Sequence, residues 1–181
     1  MKSSIKLVLI IFAVVVAVGI ASMFMVQSSQ NRAISLEESV YTAQSDVEVQ
    51  EKRRVDLVYN LADCVKQYDA HESETLTELA DNMSKGNSVE NVSTSIAAVA
   101  YNYPDLKSNQ NYKQLMNELS ITENLIAQSR ENYNKSVGTY NKHVNKFPTR
   151  IFLSWTGYEN KNFKRLEFNA PSDAPQNLFG E

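Results

Sequence analysis

The stretch "YKQLMNELSITENLIAQSRENYNKSVGTYNKHVNKFP", Tyr112 to Pro148, decides the fold. Tyr112, Leu115, Leu119, Thr122, Ile126, Ser129, Tyr133, Val137, Tyr140, Val144 and Phe147 recur almost entirely at steps of three and four, the spacing of one face of a helix. The pattern predicts a single long helix closed by Pro148, whose ring removes a backbone donor and clashes with the preceding turn. A helix with one apolar stripe must bury it against other helices, and a four-helix bundle is the simplest closure. One part of the stripe breaks the rule: "TENLIAQSRENYN" (Thr122 to Asn134) puts Thr122 and Ser129 in it, with Glu123 and Arg130 beside it.

Further helices precede it. Val40, Val47, Val58, Leu61, Val65 and Tyr68 lie on one face of a long helix around the charged interval "EKRR". "HESETLTELADNMS" continues with Leu76, Leu79 and Met83 until "KGNS", where Gly86 and polar residues break the pattern. "VENVSTSIAAVAY" carries Val89, Val92, Ile96 and Val99 at helical spacing and stops before Pro104, which disfavours helix in the residue ahead of it.

"LVLIIFAVVVAVGIASMFMV", Leu7 to Val26, is an uncharged apolar run of 20 residues. At ~1.5 Å per residue it matches the ~30 Å hydrocarbon core of a bilayer. A cleaved signal peptide is the rival reading, with Gly19-Ile20-Ala21 as the cleavage region, and it would release a secreted bundle. The run continues past that site and exceeds the usual signal core. Lys2 and Lys6 precede the span and Arg32 is the first base after it, a bias that puts the N-terminus inside and the bundle outside a plasma or inner membrane. Beyond it, Ser35-Leu36-Glu37-Glu38 has the form of a capping box starting a new helix. The alternative is one helix running straight out of the membrane. The expected organisation is an anchor over 1–27, a juxtamembrane linker over 28–35, an antiparallel bundle over 36–148 with long first and last helices, and a tail over 149–181. The tail is apolar enough to dock in part through Ile151, Phe152, Leu153, Trp155, Phe163 and Phe168, with contact of "TRIFLSWTGY" (near Arg150 to Tyr158) with the membrane interface as the alternative, and its end beyond Pro171 is expected to be disordered.

The chain carries 18 basic and 21 acidic residues in 181, a formal charge of −3, which supplies no general attraction for nucleic acid. The lone Cys64 permits neither an intrachain disulfide nor a multi-cysteine zinc site. His71 and His143 stand in no HxxxH or HExxH spacing. A hydrolase or metal enzyme built on His71, Glu72 and Glu123 is therefore the alternative, not the main reading; no catalytic, metal-ligating or cofactor-binding residue is assigned. The main expectation is a structural polar layer of Arg54, Asp56, Asp63, Thr122, Glu123, Ser129 and Arg130, in which Glu123 and Arg130, seven apart on one helix side, are answered by Arg54 and Asp56 or Asp63. Tyr133-Asn134 and Tyr140-Asn141 repeat at seven, making Tyr133 and Tyr140 an aromatic face with wet hydroxyl edges.

Three stretches carry a family resemblance: "EKRRVDLVYNLADCVKQYDAHE" (Glu51 to Glu72), "YPDLKSNQNYKQLMNELSITENLIAQSRENYN" (Tyr103 to Asn134) and "YNKHVNKFP" (Tyr140 to Pro148). Together with the N-terminal span and Gly157-Tyr158, they closely resemble the LemA family of bacterial proteins over most of the chain. There are departures: Tyr59 stands where the family usually has Pro, Tyr112 where it has Phe, and Ser129 where it has Ala. The resemblance implies a membrane-anchored helical bundle with the short N-terminus outside and the bundle in the cytoplasm, opposite to the charge reading. The combined expectation is an all-α, single-pass membrane protein, held by lipid contact, whose bundle is a non-enzymatic interaction or scaffolding module for an unidentified protein partner.

Overall fold

A computed structural model of the chain describes residues 3–68, 70–85 and 104–167. Every regular element among them is helical: α1 (Ser3–Val65), α2 (Ala70–Ser84), α3 (Pro104–Ser108), α4 (Gln110–Asn145) and α5 (Thr149–Trp155). The helix expected over Val89–Val99 and the disorder expected beyond Pro171 lie outside the described residues.

The first finding is the length of α1, 63 residues without a break. Of the two sequence readings at 28–35, the structure shows the continuous helix and not the linker. Ser35 does not cap a new start; its carbonyl accepts the Ser39 hydroxyl at 2.8 Å, one turn on. The physical reason is plain: "QSSQNRAIS" is polar but contains neither Gly nor Pro, and polarity alone does not end a helix. From Leu7 to Val26 the side chains are exposed almost throughout, whereas Ala33, Val40, Ala43 and Val47 beyond them are buried. One helix thus belongs to two environments.

From α1 into the turn after it, rising residue numbers meet falling ones from α4 back to its cap: Ser29 meets His143, Glu51 meets Arg130, Arg54 meets Glu123 and Tyr68 meets Asn109. The apolar interior falls into two clusters. One contains Leu57, Val58, Leu61, Val65, Leu76, Ala80, Leu106 and Leu119, and the other Ala33, Val40, Val137, Tyr140, Val144 and Leu153. Each fully buried Leu or Val contributes about 1.5–3 kcal/mol relative to exposure, so these two clusters hold the helices together. The stripe of α4 is buried from Tyr112 to Val144 except at the half-buried Leu115 and Ser129, but Phe147 is 73% exposed because the helix ends at Asn145 and the chain turns away.

Two helix ends are specified by single residues. Asn109 caps α4, its side-chain oxygen accepting from the backbone N–H of Asn111 (2.8 Å) and Tyr112 (3.3 Å), while its amide donates to Tyr68 Oη at 3.1 Å. Asn109→Ala is expected to lower stability by about 1–2 kcal/mol in thermal unfolding of the full-length protein in micelles. At the end of α5, Gly157 adopts φ +69°. The N–H of Tyr158 reaches Leu153 O and that of Gly157 reaches Ser154 O, the paired bonds of a Schellman turn. Any side chain there is strained, so Gly157→Ala should cost about 1–2 kcal/mol in the same assay and loosen the segment that follows.

Candidate functional site

Between the two apolar clusters lies a band of polar side chains on facing stretches of α1 and α4. Arg54 Nη1 stands 3.5 Å from Glu123 Oε2, with the two side chains 15% and 34% exposed. Arg130 Nη2 donates to Glu51 Oε1 at 2.6 Å. Thr122 is fully buried, yet its hydroxyl donates to Glu118 O at 2.8 Å within its own helix, so it adds polarity without linking helices. Ser129 is half-buried. Asp56 and Asp63 are exposed, and Glu51 occupies the place that the sequence reading gave to one of them. Helical phase explains the difference: at about 100° per residue, Asp56 and Asp63 sit about 180–200° around α1 from Arg54, whereas Glu51 sits about 60° away. The available signal was the i, i+3 relation of Glu51 to Arg54. Gln50 Oε1, Arg54 Nε and Glu123 Oε1 are buried with no protein hydrogen-bond partner, which makes the band expensive to assemble.

The second feature is a strap. Beyond Gly157 the chain runs without regular structure to Glu167, held across α4 and α1. Asn134 clasps Leu166 on both sides, donating to its carbonyl at 2.9 Å and accepting from its N–H at 2.8 Å. Tyr133 Oη donates to Lys164 O at 3.1 Å. Tyr140 Oη accepts from the Lys161 N–H at 2.9 Å and lies 3.2 Å from Tyr158 Oη, which donates to Glu37 Oε2 at 2.6 Å. Phe163 packs edge-on against both Tyr41 and Tyr140, with centroids 5.4 and 5.1 Å away. Tyr133, Asn134 and Tyr140 therefore use their polar side-chain atoms on the chain's own tail.

Burial and the hydrogen bond to Glu37 push the Tyr158 phenol well above its usual value. A phenol whose folded pKa is raised keeps its proton where the unfolded chain releases it, so this contribution to stability is intact below pH ~10 and falls as the pH rises above it. Unfolding followed from pH 8 to 11 should show stability declining above pH ~10, with a shallower decline in Tyr158→Phe. The decline does not vanish, because Tyr59, hydrogen-bonded to Asp81, and the desolvated Tyr112 are shifted in the same direction. Tyr59 also ties α1 to α2 through that Asp81 bond. Burial raises the Cys64 thiol.

The residues of the enzymatic alternative are spread out: His71 and Glu72 stand in the first turn of α2, while Glu123 lies midway along α4 and faces Arg54. Among the described residues, no group of three His, Cys, Asp or Glu side chains is arranged to hold a metal. His143 Nε2 donates to Ser29 O at 3.0 Å and so fastens the end of α4 to α1 just beyond the apolar segment.

The stretch that holds the polar band, all of α4 and the strap falls within residues 43–179, which the model of the LemA family matches. The chain belongs to the LemA family. The protein LemA of Metamycoplasma hominis is 27% identical over 147 residues, covering 74% of this chain and 64% of its own length. Magnetosome protein MamQ 2 of Paramagnetospirillum magneticum is 37% identical over 73 residues, and magnetosome protein MamQ of Magnetospirillum gryphiswaldense 36% over 73 residues. The chain spans 25% of the length of each of these magnetosome relatives, so the likeness of this LemA-family chain to them is confined to a segment.

Proposed function

We propose that this LemA-family protein is a single-pass membrane protein whose helices form an antiparallel four-helix bundle. The bundle acts as a non-enzymatic interaction or scaffolding module for a protein partner. The observation that carries the reading is α1 itself. Its apolar Leu7–Val26 segment has no part buried against the rest of the chain, yet the same helix continues into the core that contains Val40, Val58 and Leu61. An uncovered apolar face of that length is stable in hydrocarbon and a liability in water. The polar atoms of the interior support a scaffolding role, because Arg54, Arg130, Tyr140 and Tyr158 are engaged in holding the helices and the strap. Residues 7–26 should keep the protein in membranes through high salt and alkaline washing, and recovery in the wash would overturn the anchor. Photo-crosslinking from exposed positions of α4 in native membranes should give a discrete protein adduct; the absence of one from every position would overturn the scaffolding reading.

Sidedness turns on two sets of charge. Lys2 and Lys6 against Arg32 favour the bundle outside. The bases that folding gathers where α1 leaves its apolar segment favour the face richer in anionic lipid. Gln176→Cys in a Cys64→Ser background, treated with an impermeant maleimide, decides between them: labelling in intact cells places the bundle outside, and labelling only after lysis places it inside.

A further inference from the structure

We propose that the cleft between the start of the bundle on α1 and the end of α4 binds the headgroup phosphate of an anionic phospholipid. The proposal rests on the membrane reading above. Six bases line the cleft: Arg32 from α1, Lys135, Lys142, His143 and Lys146 from α4 and its cap, and Arg165 from the strap. No acidic side chain lines it among the described residues, although acids outnumber bases in the chain as a whole.

Its position matches the membrane surface. Ser29, bonded to His143, lies three residues past Val26, or about 4.5 Å along the helix, and Arg32 about 9 Å. The headgroup layer is about 5–7 Å thick on each face, so the lower rim of the cleft lies within it and the upper bases are within side-chain reach of it. Phe147, in the wall of the cleft, and Trp155 on α5 are each 73% exposed, apolar groups placed where aromatic side chains favour the interface.

Bases near a helix C-terminus also have a simpler use, since they complement the negative end of the helix dipole. That accounts for Lys142, His143 and Lys146. It does not account for Arg32 on another helix, for Lys135 more than two turns before the end of α4 at Asn145, or for Arg165, which the Asn134 clasp on Leu166 brings over Gly138. Three separate parts of the chain converge on one positive concavity, and an oxyanion is the ligand class that such a donor set recognises.

The test uses the full-length protein in neutral detergent with equal amounts of phosphatidylglycerol and phosphatidylcholine of identical chains, bound lipid being counted by native mass spectrometry. The wild type should retain phosphatidylglycerol over phosphatidylcholine by at least about tenfold, since each base near an anionic surface is worth about fivefold. The triple variant Arg32→Gln, Lys142→Gln, Arg165→Gln should lose at least about tenfold of that preference. A control triple variant at exposed positions elsewhere, Arg53→Gln, Lys66→Gln, Lys113→Gln, should keep it. Should the first variant unfold, Lys142→Glu, at an exposed position, and a rise in ammonium acetate acting on the wild type test the same charge. Equal retention of the two lipids by the wild type, or equal preference in both triple variants, would overturn the proposal. Selective retention by a protein that alkaline washing releases from membranes would uphold the cleft and overturn the anchor.

Discussion

Tyr140→Ala should destabilise the protein by about 4 kcal/mol in urea or thermal unfolding. Tyr140 is fully buried in the cluster nearer the apolar segment, so the truncation removes an aromatic ring and leaves a cavity between α1, α4 and the strap. It also removes the hydroxyl that accepts from Lys161 and meets Tyr158, and the ring that holds Phe163. Tyr140→Phe separates the two effects: the ring stays, and the loss should be about 1–2 kcal/mol. The strap should respond more strongly than the helices. Limited proteolysis of either variant is expected to cut first between Tyr158 and Glu167, while the circular dichroism of α4 is little changed. Cleavage spread evenly over α1 and α4 would show that Tyr140 supports the whole bundle and not the strap.

The second large effect concerns the polar band. Glu123→Ala should cost about 2–3 kcal/mol, at or just below the range for an uncompensated buried charge, because Arg54 keeps only 15% exposure while Glu123 keeps 34%. Arg54→Ala should cost a similar amount, and the double variant less than the sum of the two. A double-mutant cycle reads the difference as a coupling energy. The band is not a source of net stability: desolvating Arg54, Glu123 and Gln50 offsets much of the attraction, and three of their polar atoms have no protein partner. Its effect is on alignment. A one-turn slip of α4 along α1 would leave apolar contacts available but would separate Arg54 from Glu123 and Arg130 from Glu51 together. A coupling energy of zero would contradict this, and so would a register that crosslinks show unchanged in the double variant and in both single ones.

Much of this was legible in the sequence because helical periodicity is local. The steps from Tyr112 to Val144 place α4 and its buried face, Leu76 and Met83 place α2, and Leu7–Val26 announces an uncovered segment long and apolar enough to cross a membrane. The unbroken passage of α1 through 28–35 was harder, because a polar interval with a capping-box form reads equally as a start or as a continuation. What settles it is tertiary: Ala33 is fully buried, and the small side chain lets another element approach closely there. Charge partners were legible only in part. The sequence shows that Glu123 and Arg130 need opposite charges, but choosing Glu51 over Asp56 or Asp63 requires the rotational phase of α1 relative to α4. The strap was legible least, since an extended segment has no period of its own and its register rests on the Asn134 clasp, 32 residues away. The basic cleft belongs with it, because Arg165 arrives by that same clasp.

The unbroken passage of α1 from Leu7–Val26 into the packed helices can be read by nitroxide labels placed singly from Ile20 to Leu36 in the full-length protein in vesicles, in a Cys64→Ser background. The predicted result is a helical period throughout, with depth changing by about 1.5 Å per residue, oxygen access dominant up to Val26 and a buried, slow signal at Ala33. Fast, uniform motion from Ser28 to Ser35, or water access at Ile20 to Val26, would contradict it.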